Sequence, residues 1–253
     1  MNNEYFIKKR PLCEEVKENL FKYIKSMDLE VSNKLPNENS LSTLFGVSRI
    51  TIRSALNELA SEGRIFRQKG RGTFVNTEAL QIKVTFNPAV EFGDMIRNSG
   101  YEACVEVIGT SIIHAAAKEA GWLQIEIGDE LVVIEKMYYA DGNPAALCKD
   151  CFPIKYINGA IEQDEYALSI FRLMSLKCGK NVMWDKVELS TVSVLEDALL
   201  GERFKTIDPK KSLLLCESIN YDDNNKPIFF SYEYIDTNYI RFNIIRPKDV
   251  GFK

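Results

Sequence analysis

Residues 35–75 read LPNENSLSTLFGVSRITIRSALNELASEGRIFRQKGRGTFV, and this stretch decides the fold of the first part of the chain. Its pattern predicts a short helix over 38–45, with Asn37 as N-cap and Gly46 at its end. Ser48 can cap a second helix. The apolar residues of that helix recur at intervals of three and four, so they share one buried face: Ile52, Ala55, Leu56 and Leu59.

The opposite face of the second helix carries cationic and hydroxyl side chains. Arg49 and Arg53 are four residues apart and therefore lie on one side, with Ser48 and Thr51 close to them in the first turns. Guanidinium and hydroxyl groups bond to base edges and phosphates when such a helix enters a DNA major groove. Taken alone, these residues fit a solvated amphipathic helix at least as well.

A basic hairpin follows the two helices. Short β runs over 65–67 and 73–75 are joined by a loop that contains Lys69, Gly70, Arg71 and Gly72. Glycines allow the backbone to approach a groove floor, and the two cations can contact phosphates. An isolated hairpin of this kind is as consistent with a purely structural turn. Placed directly after the helix pair, it favours a DNA-binding wing.

Together these elements resemble the GntR family of winged helix-turn-helix transcription regulators. The resemblance covers about residues 10–76 and rests on the following motifs: Pro11-Leu12, Leu35-Pro36-x-Glu38, Gly46-Val47-Ser48-Arg49-x-Thr51-Ile52-Arg53-x-Ala55-Leu56, Glu62-Gly63 and Gln68-x-Gly70-Arg71-Gly72-Thr73-Phe74-Val75.

The resemblance implies specific roles on DNA. Arg49 and Arg53 would contact guanine edges or phosphates, the hydroxyls of Ser48 and Thr51 would bond to the DNA backbone, and Gly70 would enter the minor groove. The family commonly has an arginine after the glutamate of the LPxE motif, where this chain has Asn39. That departure removes one expected contact and predicts an altered operator preference.

The distribution of charge supports a nucleic-acid partner for the N-terminal part only. The whole chain has a net charge of −4, which by itself disfavours phosphate binding. Residues 1–76 nevertheless hold 13 Lys and Arg against 9 Asp and Glu, a balance of +4. The remaining residues have a balance of −8. The basic charge is therefore local, as expected if one domain meets DNA.

Length and hydropathy indicate a cytoplasmic protein of two domains. A chain of 253 residues exceeds one average domain, and 45% hydrophobic residues suffice for two cores. No apolar run is long enough to span a membrane, and residues 1–12 lack the apolar core of a signal peptide.

Cysteine and histidine usage gives no metal, cofactor or catalytic prediction. Six cysteines are scattered, and Cys148 and Cys151 form the only CxxC motif. A zinc or redox site would need a second ligand pair or a thioredoxin-like context, so buried strand cysteines are favoured. His114 is the only histidine, which excludes multi-histidine metal sites and leaves little material for histidine-based catalysis.

Beyond residue 80 the pattern changes to strands interspersed with helices. A strand over 82–86, a helix over 89–99 begun by Asn87-Pro88, hairpins about 141–143 and 222–225, and a last strand over 240–245 are predicted. This order indicates an α+β domain with a mostly antiparallel sheet. We expect a DNA-binding domain over 1–76, a linker over 77–80, and a second domain over 81–253.

The second domain resembles the UTRA domain, which accompanies GntR-type heads in the HutC subfamily and has a chorismate lyase-like fold. The resemblance covers about residues 80–247. It rests on Arg97-Asn98-Ser99-Gly100-Tyr101, Ile127-Gly128-Asp129-Glu130, Tyr139-Ala140-Asp141-Gly142-Asn143-Pro144 and Pro153. It implies binding of a small metabolite and homodimerisation.

The same resemblance suggests an effector site. Relatives that bind sugar phosphates use backbone amides, which match Phe92, Gly93 and Asp94, and two arginines, which match Lys136 and Tyr138. The loss of both arginines disfavours a sugar phosphate and favours an aromatic, amphipathic or weakly anionic ligand.

Further polar and aromatic residues have two interpretations. Ser169 and Glu233 match positions near the family's cleft, although each also fits an ordinary surface or strand residue. Aromatic residues on the predicted strands can line the same pocket or belong to the sheet core: Tyr138, Tyr139, Phe152, Phe229, Phe230, Tyr232 and Tyr234.

Two functions of different class remain. The first is a transcription regulator, in particular a repressor, whose dimer binds a palindromic operator and responds to a metabolite bound in the second domain. The alternative is an enzyme that acts on a small organic acid through the lyase-like domain, which rests on fold analogy alone.

Overall fold

The computed structural model of the protein describes residues 12–82, 84, 86, 90–195, 198–204 and 211–246, without side-chain detail at 198 and 199. The chain divides into two compact units, Met1–Thr85 with Asn243–Lys253 and Phe86–Phe242. The C-terminal segment thus belongs to the first unit. No helix in the described ranges has the length and apolarity needed to cross a membrane.

The first unit contains the predicted helix pair. Its elements are α1 Leu12–Ser26, α2 Glu38–Phe45, α3 Arg49–Ser61, β1 Ile65–Gln68, β2 Gly72–Val75 and α4 Thr77–Leu80. The Asn37 side chain accepts a hydrogen bond from the Ser40 amide at 2.9 Å, and Ser48 accepts one from the Thr51 amide at 3.2 Å. Each bond satisfies an amide that the first turn of a helix leaves without a partner.

The four apolar positions of α3 form the core of this unit. Ile52, Ala55, Leu56 and Leu59 are buried and pack against α1 and α2 side chains that are also buried, among them Leu20, Ile24 and Leu41. Burying one such aliphatic side chain stabilises the fold by roughly 1.5–3 kcal/mol. The spacing of apolar residues therefore determines which face of α3 is left for a partner.

Strands β1 and β2 form the predicted antiparallel wing, with Gln68 opposite Gly72. A third extended segment, which the sequence analysis did not predict, supports the wing. The Leu35 amide donates to the Thr73 carbonyl at 2.9 Å, and the Val75 amide donates to the Asn33 carbonyl at 2.7 Å. These bonds tie the wing to the segment that precedes α2.

Residues 77–80, expected as a linker, form the helical turn α4, in which Ala79 is buried and Leu80 packs on the core of the first unit.

The predicted last strand over 240–245 is wrong. The segment passes from the second unit to the first at Asn243, so it does not continue along the sheet. Instead, the Asn243 amide donates to the Val84 carbonyl at 3.1 Å.

Gly63 lies close to Ile245 of this C-terminal segment, and this close approach predicts how substitutions change the stability of the protein. Its backbone has φ +69°, and a Cβ placed there would lie 2.2 Å from Cγ2 of Ile245. We expect Gly63→Ala to destabilise the protein more than Gly46→Ala. Both replacements cost about 1–2 kcal/mol for the left-handed backbone, but a Cβ at Gly46 meets nothing within 4 Å.

Urea unfolding of the two variants measures this difference. Adding Ile245→Ala should recover part of the loss in Gly63→Ala and none in Gly46→Ala. Equal losses in the two glycine variants would contradict the contact between Gly63 and Ile245.

The second unit is built on a six-stranded sheet. Its elements are α5 Phe92–Ser99, β3 Ala103–His114, α6 Ala117–Leu123, β4 Glu130–Ala140, β5 Asn143–Pro153, α7 Ile170–Cys178, β6 Trp184–Ser193, α8 Ala198–Arg203, β7 Ser212–Tyr221 and β8 Pro227–Ile235. The strand order is β3-β4-β5-β8-β7-β6, and all neighbours are antiparallel. The α+β prediction, with a mostly antiparallel sheet, is confirmed.

The start of this unit differs in part from expectation. Residues 83, 85 and 87–89 lie outside the described residues, so the strand predicted over 82–86 and the Asn87-Pro88 helix start are not assessed. Helix α5 begins at Phe92 rather than at residue 89. Helix α8 was not predicted, although its Leu200 is fully buried.

Helices cover both faces of the sheet. On one face, Ile170 and Leu173 of α7 pack on Ile134 and Phe152, and the ring of Phe92 on α5 lies 5.3 Å from that of Tyr138. We call this the cavity face. On the other, α6 and α8 pack on two further clusters of buried side chains. The layers place a sheet floor beneath α5 and α7.

Candidate nucleic-acid interface and ligand cavity

The exposed face of α3 carries the predicted contact residues. Arg49 is exposed at the first turn, next to Ile50, whose side chain is 81% exposed. The hydroxyls of Ser48 and Thr51 are 2.8 Å apart. The same capping geometry that begins the helix therefore brings these two hydroxyls together at its N-terminus, where the helix dipole favours phosphate.

Arg53 is held by Glu38, a partner that the sequence analysis quoted only as part of a motif. Its Nε and Nη2 atoms donate to the Glu38 carboxylate at 3.1 and 2.8 Å. This hydrogen bonding holds the pKa of Glu38 below its usual range. Paired bonds of this kind fix a guanidinium in one orientation. Glu38, at the start of α2, therefore orients a side chain of α3.

Sequence reasoning missed two cations on this side of the unit. The charges of Arg67 on β1 and of Arg49 also lower the pKa of Glu38, so both lie near its carboxylate. Lys34 has its Nζ 6.0 Å from the centre of the Phe74 ring on β2. Arg67 lies two residues from buried Ile65 on the same side of β1, so strand alternation predicts burial there and gives no signal for an exposed cation.

At the wing tip, two exposed cationic side chains flank a glycine. Lys69 and Arg71 are exposed on either side of Gly70, which has φ +75°. A Cβ at Gly70 would meet nothing within 4 Å, so the open space at the tip allows close approach of another molecule. The Arg71 guanidinium lies 5.8 Å from the Phe74 ring centre, and Gly72 begins β2.

A cavity of about 810 Å³ lies on the cavity face of the second unit, under α5 and the start of α7. Pockets of this size hold drug-sized molecules. Four of the residues predicted to bind an effector line it: Phe92, Tyr138, Ser169 and Glu233. The tertiary structure thus brings together positions from α5, β4, the N-cap of α7 and β8.

The other three predicted residues do not line this cavity. Lys136 is fully buried, and its ammonium donates to the Leu168 carbonyl and lies 3.9 Å from Oδ2 of Asp150. Asp94 forms an exposed ion pair with Arg97 at 2.7 Å, and Gly93 lies against the same arginine. Lys136 is therefore a partner of the protein's own groups rather than a cation offered to a ligand.

Acidic residues line the cavity, and three of the four escaped the sequence analysis. Asp150 on β5, Glu91 before α5 and Asp185 on β6 join Glu233. Cross-strand pairing explains the arrangement on the sheet, because Asp150 lies opposite Ser231, two residues from Glu233 on the same strand. The alternation of β5 and β8 is the signal that could have found Asp150.

Burial shifts the ionisation of these groups. Burial, with the like charges of Asp150 and Asp185, raises the pKa of Glu233 to about 8. Burial also raises the pKa of Asp150, although Lys136 and a hydrogen bond from Ser231 at 2.6 Å act against it. The cavity is therefore a place where negative charge is costly in the absence of a cation.

The Cys148 and Cys151 thiols lie in β5 and are buried. Three residues apart on a strand, they project to opposite faces of the sheet. Burial raises the pKa of Cys148 and that of Cys151, the latter to about 12. The described residues contain no group of three or more potential metal ligands.

The raised pKa of Glu233 predicts a pH-dependent stability. The folded state holds a proton that the unfolded state releases near pH 4.3, so stability should fall as pH rises from about 5 to 8. Glu233→Gln should remove this part of the slope, about 1.4 kcal/mol for each unit by which the pKa is raised. Urea unfolding of both proteins across this pH range measures the difference. Parallel pH profiles would contradict the prediction.

Comparisons with known proteins match each part of the chain to a family. A family model described as bacterial regulatory proteins, gntR family, matches residues 12–75, and the UTRA domain model matches residues 98–241, more than half of the chain. An uncharacterized HTH-type transcriptional regulator, YurK of Bacillus subtilis, is 27% identical over 94% of this chain and 96% of its own length. A probable fructoselysine utilization operon transcriptional repressor of Shigella flexneri is 25% identical over 85% of this chain and 86% of its own length.

Solved structures show the same fold. The crystal structure of the possible transcriptional regulator YydK of Bacillus subtilis superimposes with a TM-score of 0.73 at 18% identity, covering 94% of this chain and all of that chain. PhnF of Mycobacterium smegmatis superimposes with a TM-score of 0.58 at 21% identity, covering 92% of this chain and all of that chain.

Proposed function

This chain belongs to the GntR family of bacterial regulatory proteins and carries a UTRA effector-binding domain, and from that premise we propose that it is a repressor whose operator affinity is set by a small molecule in the cavity. The observation that carries the proposal is the paired geometry of Arg53 and Glu38 beside exposed Arg49. It presents two guanidinium groups on one face of a capped helix, next to a basic wing.

We assign the DNA contacts to α3 and the wing. Side chains at the start of α3 would enter the major groove, and the wing tip would contact phosphates or the minor groove. The proposed contact residues are Ser48, Arg49, Thr51, Arg53, Lys69, Gly70, Arg71 and Gly72. Asn39 precedes Ser40 in the first turn of α2, where the family commonly has an arginine, and we propose that it changes operator preference.

We further propose a homodimer that binds a palindrome in the cytoplasm. One head supplies one recognition helix, and two heads related by a twofold axis would read half-sites about 34 Å apart. The long edge strand β3 supports association, because it exposes Val105 and Ile112 and, among the described strands, is bonded to β4 alone. We propose residues 1–76 as the DNA-binding part, 77–80 as the connection and 81–253 as the effector-binding and dimerisation part.

The effector role rests on the UTRA match and on the cavity. Relatives at 25% identity or less are named as probable transcriptional repressors of fructoselysine utilization operons, which supports repression here as well. The enzyme alternative has no such support, since the matching family consists of regulatory proteins.

Selection of bound duplexes from a random pool tests the proposal. We expect recovery of a short palindrome, retained at a ratio of two chains to one duplex, with affinity that falls steeply as salt rises. Light scattering of the free protein gives the oligomeric state. Recovery of no preferred sequence, with or without small molecules added, would contradict a role as a sequence-specific regulator.

A further inference from the structure

The charged groups that line the cavity are all acidic among the described residues. Glu91, Asp150, Asp185 and Glu233 contribute carboxylates, and the lining contains no lysine, arginine or histidine. Lys136, the ion-pair partner of Asp150, is enclosed and bonded to the Leu168 carbonyl. A phosphate or carboxylate ligand entering here would meet like charges without a cationic partner, which costs free energy in a desolvated site.

Acidic residues stand at the N-terminus of α5, the helix end that could attract an anion. Glu91 stands at the N-cap of α5 and lines the cavity, and Asp94 lies in the first turn. Carboxylates at these positions interact favourably with the positive end of the helix dipole. An anionic ligand would therefore compete with Glu91 at the place where the resemblance puts backbone amides around a phosphate.

Aromatic rings complete the lining and suit a cation with an apolar body. Phe92 and Tyr138 meet at 5.3 Å between ring centres, and Phe171 and Phe229 at 6.1 Å. Trp184 stacks on Tyr221 at 4.0 Å, yet it remains 46% exposed and lines the cavity. Ring faces attract ammonium groups, and tryptophan does so most strongly.

We propose that this cavity takes an organic cation, with an ammonium group bound by Asp150, Asp185 and Glu233 and an apolar or ring-bearing body against the aromatic lining. The inference rests on the proposed function, because it names the ligand class of the effector site. It replaces the weakly anionic ligand expected from the loss of the arginines.

Binding of a cation should also release a proton at neutral pH. Burial raises the pKa of Glu233 to about 8, and a neighbouring ammonium would favour the ionised form. The groups that face or influence Glu233 come from four strands: Tyr138 and Lys136 on β4, Cys148 and Asp150 on β5, Asp185 on β6 and Cys216 on β7. Affinity for the cation should rise with pH as Glu233 ionises.

The test uses probes of matched shape and different charge on the full-length protein. Two bodies are each offered as amine, neutral alcohol and anion: phenethylamine, phenylethanol and phenylpropionate; cadaverine, pentanediol and pimelate. The chain has two tryptophans, so Trp122→Phe leaves Trp184 as the only tryptophan reporter of cavity binding. Calorimetry in buffers of different ionisation enthalpy counts the protons released.

We expect at least one amine to bind more tightly than its alcohol and its anion, with proton release at pH 7. Glu233→Gln and Asp185→Asn should each weaken it by about 30-fold or more. Glu188→Gln removes the same charge from the other face of β6 and should have no effect. Tighter binding of an anion, equal binding of all three, binding of no amine at millimolar concentration, or unchanged affinity in both cavity variants would overturn the inference.

Fluorescence anisotropy of a selected duplex, measured on the same samples, separates the two proposals. An anion that binds the cavity and alters DNA affinity would overturn the proposal of a cationic ligand and leave the proposal of a DNA-binding regulator standing. An amine that binds with proton release but leaves DNA affinity unchanged would support a cation-binding cavity and contradict the role of the cation as effector.

Discussion

Replacing Lys136 by methionine is expected to lower the free energy of unfolding by about 3–5 kcal/mol. The Lys136 ammonium is fully buried, 3.9 Å from Oδ2 of Asp150, and is bonded to the Leu168 carbonyl. Its removal leaves the Asp150 carboxylate buried near Glu233 with a single hydrogen bond from Ser231. The lost attraction and the isolated charge both destabilise the folded state.

The loss should grow with pH, because Asp150 can escape the penalty by taking up a proton. Burial already raises the pKa of Asp150 in the presence of Lys136, and removal of the cation raises it further. Chemical unfolding at mildly acidic and at neutral pH measures the trend. The double variant Lys136→Met with Asp150→Asn removes both charges and should recover most of the stability. A loss below about 1 kcal/mol in the single variant would contradict a structural role for this pair.

Truncation of Arg49 or Arg53 to alanine is expected to weaken binding to a selected duplex by about 1–3 kcal/mol, roughly 5- to 150-fold. The two side chains share one face of α3, and Glu38 orients Arg53 through bonds of 3.1 and 2.8 Å. If these groups read base edges, their loss should also relax the preference at particular base pairs.

Two control variants distinguish contacts to specific bases from non-specific electrostatic attraction to DNA. Lys69→Ala on the wing should weaken all duplexes to a similar extent and reduce the salt dependence. Lys22→Ala removes a positive charge from exposed α1 and should change affinity little. Anisotropy titrations against the selected duplex and against single base-pair substitutions measure both effects. Full affinity in both arginine variants would show that α3 is not the recognition helix.

Glu38→Gln tests the orienting contact itself. The amide keeps the shape of the carboxylate but loses the charge that holds Arg53, so DNA affinity should fall by less than in Arg53→Ala. An equal or larger loss would indicate that Glu38 has a role beyond orientation.

Local patterns predicted most of the first unit. Apolar spacing placed Ile52, Ala55, Leu56 and Leu59 in the core, and capping residues set the limits of α2 and α3. These features depend on neighbours within a few residues, which a sequence displays directly. The support of the wing by the segment before α2 and the approach of Ile245 to Gly63 depend on residues far apart in the chain, and no local pattern reveals them.

By itself the sequence determined the family, the helix pair, the wing and the two central hairpins of the sheet, because each is specified by periodicity, caps and turns within a short stretch. Only the tertiary structure decided what the cavity offers a ligand. Asp150 and Asp185 are unremarkable in sequence, Glu233 only matches a position near the family's cleft, and Lys136 looks there like an available cation. The strand order and register put the three carboxylates and Lys136 on one face, where the lysine is enclosed and bonded to the Leu168 carbonyl, so the charge of the site depends on pairing between distant strands.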